Sequence, residues 1–313
     1  MATPPAPLYR DPTFDGPADP TVVKNAETGR WFMFYTQRRA NRPAKGAAWA
    51  HGTDIGFAIS LDGADWQYKG TVNLEYGEGR NTFWAPEIIR ENGMWHMYVS
   101  FVEGIPTDWT APAQLLHFTS LDLDTWVFQS VMDFGHDRCS EASVAQLPDG
   151  TWRMWYRNEA GAIYAADSPD LYEWKCAGVA ISGRVQSSPH VFEISGTYWM
   201  LTDSSSGQLV YRSTDLTEWH RQPMPLLSVP GRRSFDEALG HGAMVLPQGP
   251  DSGFLYYFTQ PGGGIRSVIQ VARVYVRDGW LRCDRDAPFK YMLTAANTAG
   301  VRGGSAKDVA RAA

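Results

Sequence analysis

The chain has 313 residues, 43% of them hydrophobic, with 13 Trp, 14 Tyr and 14 Phe, which supplies a large core and is too aromatic for a disordered chain. Its net charge of −6, without long runs of like charge, argues against a nucleic-acid partner, and no apolar run reaches membrane-spanning length. The opening "MATPPAPLYRDP" has no basic and apolar leader, and Cys139, Cys176 and Cys283 are odd in number and widely spaced. A cytoplasmic protein with free thiols and no membrane partner is expected.

In chain order, the first predicted unit runs from a short apolar strand, "DPTVV" (19–23), to "GRWFMFY" from Gly29, then "IGFAIS", the turn "SLDGADW" and "WQYKG". The second repeats it with "PEII" (86–89), "GMWHMYV", "LLHFTS", "SLDLDTW" and "WVFQS". The third has "EASVAQL" (141–147), "GTWRMWY", "IYAADS", "SPDLYEW" and "WKCAG". The fourth has "HVFEI" (190–194), "GTYWMLT", "LVYRS", "STDLTEW" and "WHRQP", and the fifth keeps "HGAMVL" (241–246), "GFLYYFT" and only "RDGW" of the turn. Aromatic and β-branched runs without helical period, bounded by glycine turns, read as strands.

The recurring Ser-x-Asp-x-x-x-Trp reads as architecture. Its Ser and Asp can bond nearby amides in a turn between the third and fourth strands, and its Trp packs between neighbouring units. Four antiparallel strands repeated five times predict an all-β fold, a single five-bladed β-propeller over residues 1–290, followed by a polar tail over 291–313.

The first strand of each blade lines the channel of a propeller. Aligning these strands places Asp19, Ala85, Glu141 and His241 in register, with Glu87 and His190 two residues further along and therefore on the same face. An otherwise apolar wall thus carries three carboxylates and two histidines, and converging carboxylates raise one another's proton affinity. Trp84, Phe83, Trp49 and Trp109 are candidates for stacking on a sugar, with Arg80, Asn81 and His51 as hydroxyl partners. Asp236 and Glu237, just ahead of the fifth channel strand, read as decoys or subsite residues.

"ADPTV" in blade one, "FWAPEI" in blade two and "SEAS" in blade three together resemble the three signatures of glycoside hydrolase family 43. The related five-bladed families 32, 68 and 117 stay open. The resemblance spans about residues 15 to 285. It implies Asp19 as general base, Glu141 as general acid, and Glu87 as the residue that tunes and orients that acid. It also implies that His241 sits at the channel centre near a calcium or a water. The departures are glutamate where the family usually has aspartate after Trp-Ala-Pro, and Ala-Ser after the third-blade glutamate.

The expected activity is exo-acting hydrolysis of short oligosaccharides, arabinofuranosyl, xylosyl or similar, with inversion and no required cofactor. Glu87 is expected to hold Glu141 and to keep it protonated by like-charge repulsion. Two other readings are a retaining, fructan-type enzyme with Asp19 as nucleophile and a propeller that binds glycans without catalysis. His190 is an alternative acid. The sequence names neither the sugar nor the oligomeric state.

Overall fold

A computed structural model describes residues 3–183 and 185–293. Each sequence repeat forms its own antiparallel four-stranded sheet, with the strands side by side in chain order. Blade one is β1 (Pro17–Lys24), β2 (Trp31–Gln37), β3 (Ile55–Ser60) and β4 (Gln67–Thr71). Blade two is β5 (Thr82–Glu91), β6 (Met94–Val102), β7 (Gln114–Ser120) and β8 (Val127–Met132). Blade three is β9 (Ser140–Gln146), β10 (Trp152–Arg157), β11 (Ile163–Ser168) and β12 (Lys175–Ile181). Blade four is β13 (Ser187–Ile194), β14 (Thr197–Ser204), β15 (Gly207–Ser213) and β16 (His220–Arg221). Blade five is β17 (His241–Pro247), β18 (Ser252–Thr259), β19 (Val268–Arg277) and β20 (Trp280–Cys283). The fold is an all-β five-bladed propeller, and the fifth blade is complete despite its shortened motif. Among the described residues no helix is long and apolar enough to cross a membrane.

Burial explains the sequence pattern. The second strands are apolar on both faces because they are sandwiched between neighbouring blades, and β2 is buried along its whole length. The outermost strands alternate or are exposed, as in β4 and β12. The Ser-x-Asp turns form as expected. Ser60, Ser120, Ser168 and Ser213 accept the amides two and three residues on, while Asp62, Asp122, Asp170 and Asp215 accept the next two. The motif tryptophans then reach back to the previous blade: Trp126 meets Phe34, Trp174 meets Tyr98, and Trp219 meets Trp155, each edge to face.

Four of the five seams between blades are crossed by the chain; the seam between blades five and one is closed by contacts alone. Tyr9 pairs through its backbone with Ile269 of β19, and Ser267 bonds the Pro17 carbonyl. From the other side, the Tyr291 hydroxyl donates to the Gly63 carbonyl and the Leu293 amide to Asp62. Tyr291 and Leu293, assigned from sequence to the polar tail, are instead buried in a core shared by blades one and five. Residues 294–313 of that tail lie outside the described residues.

Candidate active site

All five channel strands carry the same kink. The antiparallel register with the second strand slips once, and there one residue adopts a left-handed backbone: Asp19 (φ 49°), Ala85 (47°), Glu141 (60°), Ser188 (46°) and Gly242 (51°). Such a φ costs a non-glycine residue about 1–3 kcal/mol, so four of the five kinks are strained. Gly242 is required twice over, since a Cβ there would also collide with Oδ1 of Asp19. The kink corrects the sequence register: Gly242, not His241, is the counterpart of Asp19 and Glu141. His241 stands one residue earlier, opposite Phe258.

Asp19 and Glu141 face one narrow channel space of about 40 Å³, together with Thr21, Glu87, Ser188, His190 and Gly242. The residue two past the kink ties its blade to the next in four of the five blades. Thr21 donates to the Pro86 carbonyl, Glu87 accepts the Val144 amide at 2.9 Å, Ser143 accepts the Val191 amide, and His190 Nε2 meets the Val245 carbonyl at 3.2 Å. Glu87 therefore has partners other than those expected of it. Its carboxyl is bound to β9 and its own proton affinity is pushed up to about 8 by burial, opposed by Val144 and Ser143, while the like charge that reinforces the Glu141 proton is that of Asp19. His190 is pushed down to about 4 by burial, which leaves it neutral.

A second ring lies where the second strands face the kinks: Thr36, Ser100, Arg157, Asp203 and Phe258 pair with Ala18, Trp84, Ser140, Ser187 and His241. Three of these accept the amide of the next blade's kink residue. Thr36 takes Ala85, Ser100 takes Glu141 at 2.8 Å, and Asp203 takes Gly242 at 3.3 Å. Thr36 also donates to Asp19 Oδ2 at 2.9 Å. Asp203 holds His241 Nδ1 at 3.0 Å, which raises the affinity of that imidazole for a proton. Arg38, missed in the sequence, stacks on Phe258 and lies 3.8 Å from Asp19 Oδ2.

Burial raises the Asp19 pKa, with Arg38 and Thr36 opposing and Asp203 adding to the rise. Burial also raises Glu141, with the Asp19 charge reinforcing it, while Arg157, the Ser188 amide and Arg138 oppose. The Ser188 amide donates to Glu141 Oε2 at 3.2 Å.

Around the mouth, Trp84 donates to the Ala50 carbonyl and packs on His51, which meets the Asp108 carbonyl. Trp109 covers both rings and is 54% exposed, and Trp49 borders Arg38. Phe83, Arg80 and Asn81 are not brought to the carboxylates. They line a separate side cavity of about 460 Å³ with Asp54 and Tyr76, where Arg80 pairs with Asp54 at 3.0 Å. Asp236 is wholly buried against Arg285 and Tyr257, whereas Glu237 is exposed. Asp236 thus reads as a decoy.

Among the described residues no group of three or more His, Cys, Asp or Glu side chains is arranged to hold a metal. Nδ1 of His241 is occupied by Asp203, which leaves Nε2 open, and a lone imidazole nitrogen is a poor direct ligand for calcium.

No family model matches the chain, and no curated protein matches it. Solved structures do, and they share its five-bladed propeller fold. A thermostable family-43 glycoside hydrolase superposes with a TM-score of 0.70 at 19% identity, covering 91% of this chain and 99% of the other. A family-43 β-1,3-galactosidase with bound galactodeoxynojirimycin gives 0.67 at 16%, covering 90% and 98%. An exo-1,5-α-L-arabinanase from a bovine ruminal metagenomic library gives 0.62 at 15%, covering 88% and 99%. At these identities the likeness is one of fold.

Proposed function

We propose that this protein is a glycoside hydrolase that removes terminal sugars from short oligosaccharides by inversion, with Glu141 as acid and Asp19 as base. The observation that carries the reading is the pair of carboxyls on the kinks of blades one and three that face a shared channel, each with its proton affinity raised by burial. Hydrolysis needs one protonated carboxyl at the leaving oxygen and one ionised carboxylate on the other face of the ring.

Glu141 suits the first role. Burial and the Asp19 charge favour its proton, and the Ser188 amide occupies Oε2, leaving Oε1 to deliver that proton. Asp19 suits the second. Arg38 and the Thr36 hydroxyl stabilise its charge and orient it toward an attacking water. Glu87, held as a neutral acid on the channel wall, offers a hydroxyl to the sugar. His241, held by Asp203, offers Nε2 to a hydroxyl or a water. No cofactor enters the reaction. The narrow channel stops a polymer from threading through, which supports exo action, as does the name of the arabinanase neighbour. An arabinofuranosyl, xylosyl or similar terminal sugar is the favoured substrate.

The test is proton NMR of the first product formed from a panel of aryl glycosides. Inverted anomeric configuration is expected; retention, or transfer to methanol, would make Asp19 a nucleophile. Glu141→Gln should cost on the order of 10²–10⁴-fold on substrates with poor leaving groups, and far less on aryl glycosides with activated phenols. Binding without turnover across the panel would leave a glycan-binding propeller.

A further inference from the structure

Blade three breaks the pattern of the second ring. Where Thr36, Ser100 and Asp203 accept an amide from the next blade, the same position is Arg157, a donor. The amide it would have received, that of Ser188, goes instead to Glu141. Arg157 Nε is buried without a hydrogen-bond partner. Arg138 approaches the same carboxyl from the loop before β9. Its terminal nitrogen is pinned to the carbonyls of Trp109 and Ala111, and its Nε is likewise buried and unpartnered. Nearby, His136 Nε2 is a third such atom, while its Nδ1 stands 3.9 Å from Glu159.

Resting on the hydrolase reading, we infer that the unit joined to the released terminal sugar carries an anion, a carboxylate or a sulfate ester, and that this group docks between Arg157 and Arg138 beside Glu141, the acid on the leaving-group side. The charge count requires a partner of this kind. The groups facing Glu141 are Asp19 and Arg38 from blade one, Glu87 from blade two, Arg138, Arg157 and the Ser188 amide. Arg38 is matched by Asp19 and Asp203. Arg138 is disfavoured as a cation first by burial and then by the Arg157 charge, with Glu141 as the carboxylate that favours it. Once Glu141 is protonated, as an acid must be, two guanidinium charges lack a counter-charge in a largely desolvated site. A substrate anion supplies it, and guanidinium donors suit the two oxygens of a carboxylate or sulfate. The same anion offsets the field by which the arginines oppose the Glu141 proton, so a substrate with an acidic leaving unit completes its own acid catalyst while a neutral one meets a poorer acid.

The test compares galacturonate, glucuronate and galactose 6-sulfate with galactose and glucose by NMR titration of the whole protein. At least about tenfold tighter binding of the anions is expected, and uronate against sulfate ranks the two sources. Arg157→Gln should erase the preference and Arg157→Lys restore part of it. On a neutral substrate Arg157→Gln should move the alkaline limb of the kcat profile upward, a change a merely structural role would not produce. Equal affinity for charged and neutral sugars in the unaltered protein overturns the inference, as does a preference that survives Arg157→Gln. Anion preference without turnover of any glycoside would instead overturn the hydrolase reading and leave the anion site standing.

Discussion

Replacing Glu87 by glutamine isolates the cost of its buried carboxyl. Glutamine keeps the shape and the acceptor for the Val144 amide, and its amino group can face Ser143. Below pH 4.5, the ordinary value, Glu87 is protonated in both folded and unfolded chains and contributes nothing to the pH dependence of stability. Above it the unfolded chain ionises while the folded chain, titrating near 8, does not. The unaltered protein therefore loses stability as pH rises from 4.5 to about 8, and beyond that the loss is constant.

At pH 7 the difference amounts to roughly 3 kcal/mol, from about 1.4 kcal/mol per pH unit. Channel water screens part of this, so about 2 kcal/mol is expected, or a melting shift of roughly 5 °C. Urea midpoints of the unaltered and Glu87→Gln proteins, measured from pH 4 to 9, should coincide at the acid end and diverge in favour of the variant toward pH 8. Parallel curves, or a variant weaker at every pH, would refute the assignment of Glu87 as a neutral buried acid.

Arg38→Met removes the nearest positive charge from Asp19, so the acidic limb of kcat/KM should move to higher pH and activity near neutrality should fall; an unmoved limb would take Asp19 out of the base role. Arg285→Met leaves Asp236 buried without its ion-pair partner, and should cost about 3–5 kcal/mol of stability, seen as a melting drop of roughly 10 °C, with kcat unchanged.

The propeller could be read in the sequence because each blade repeats the same solution, a glycine turn, a doubly buried strand and a Ser-x-Asp turn, so that five weak signals reinforce one another. Asp19 and Glu141 could be found for the same reason. The fifth blade misled because the hairpins after the channel strands differ in length, which makes the glycine turn a poor origin for register. A better one was present: Pro20, Pro86, Ala142, Pro189 and Ala243 each follow the kink. Arg38, Asp203 and Arg157 could not be found this way. Their roles depend on which residue stands across a strand or a seam, and side chains of four different chemistries occupy one position of the second ring. Phe83 and Arg80 neighbour Trp84 in sequence, yet they open onto a different cavity.

The seam between blades five and one behaves as the clasp of a hoop. Elsewhere a blade that loosens is still tethered to its neighbour by the peptide chain, so its effective concentration for re-docking stays high. Here non-covalent contacts alone hold the ring shut, among them the strap around Tyr9 and the one around Tyr291, from opposite sides, through partners 228 to 260 residues apart in sequence. Asp19, with its partners Thr36 and Arg38, lies on one side of this clasp, and Phe258, His241 and Gly242 lie on the other. Opening it would separate Arg38 from the ring it stacks on and draw Asp19 from its place against Gly242. The ring's weakest covalent point thus runs through its chemical centre, and whatever tightens the straps also tunes the base.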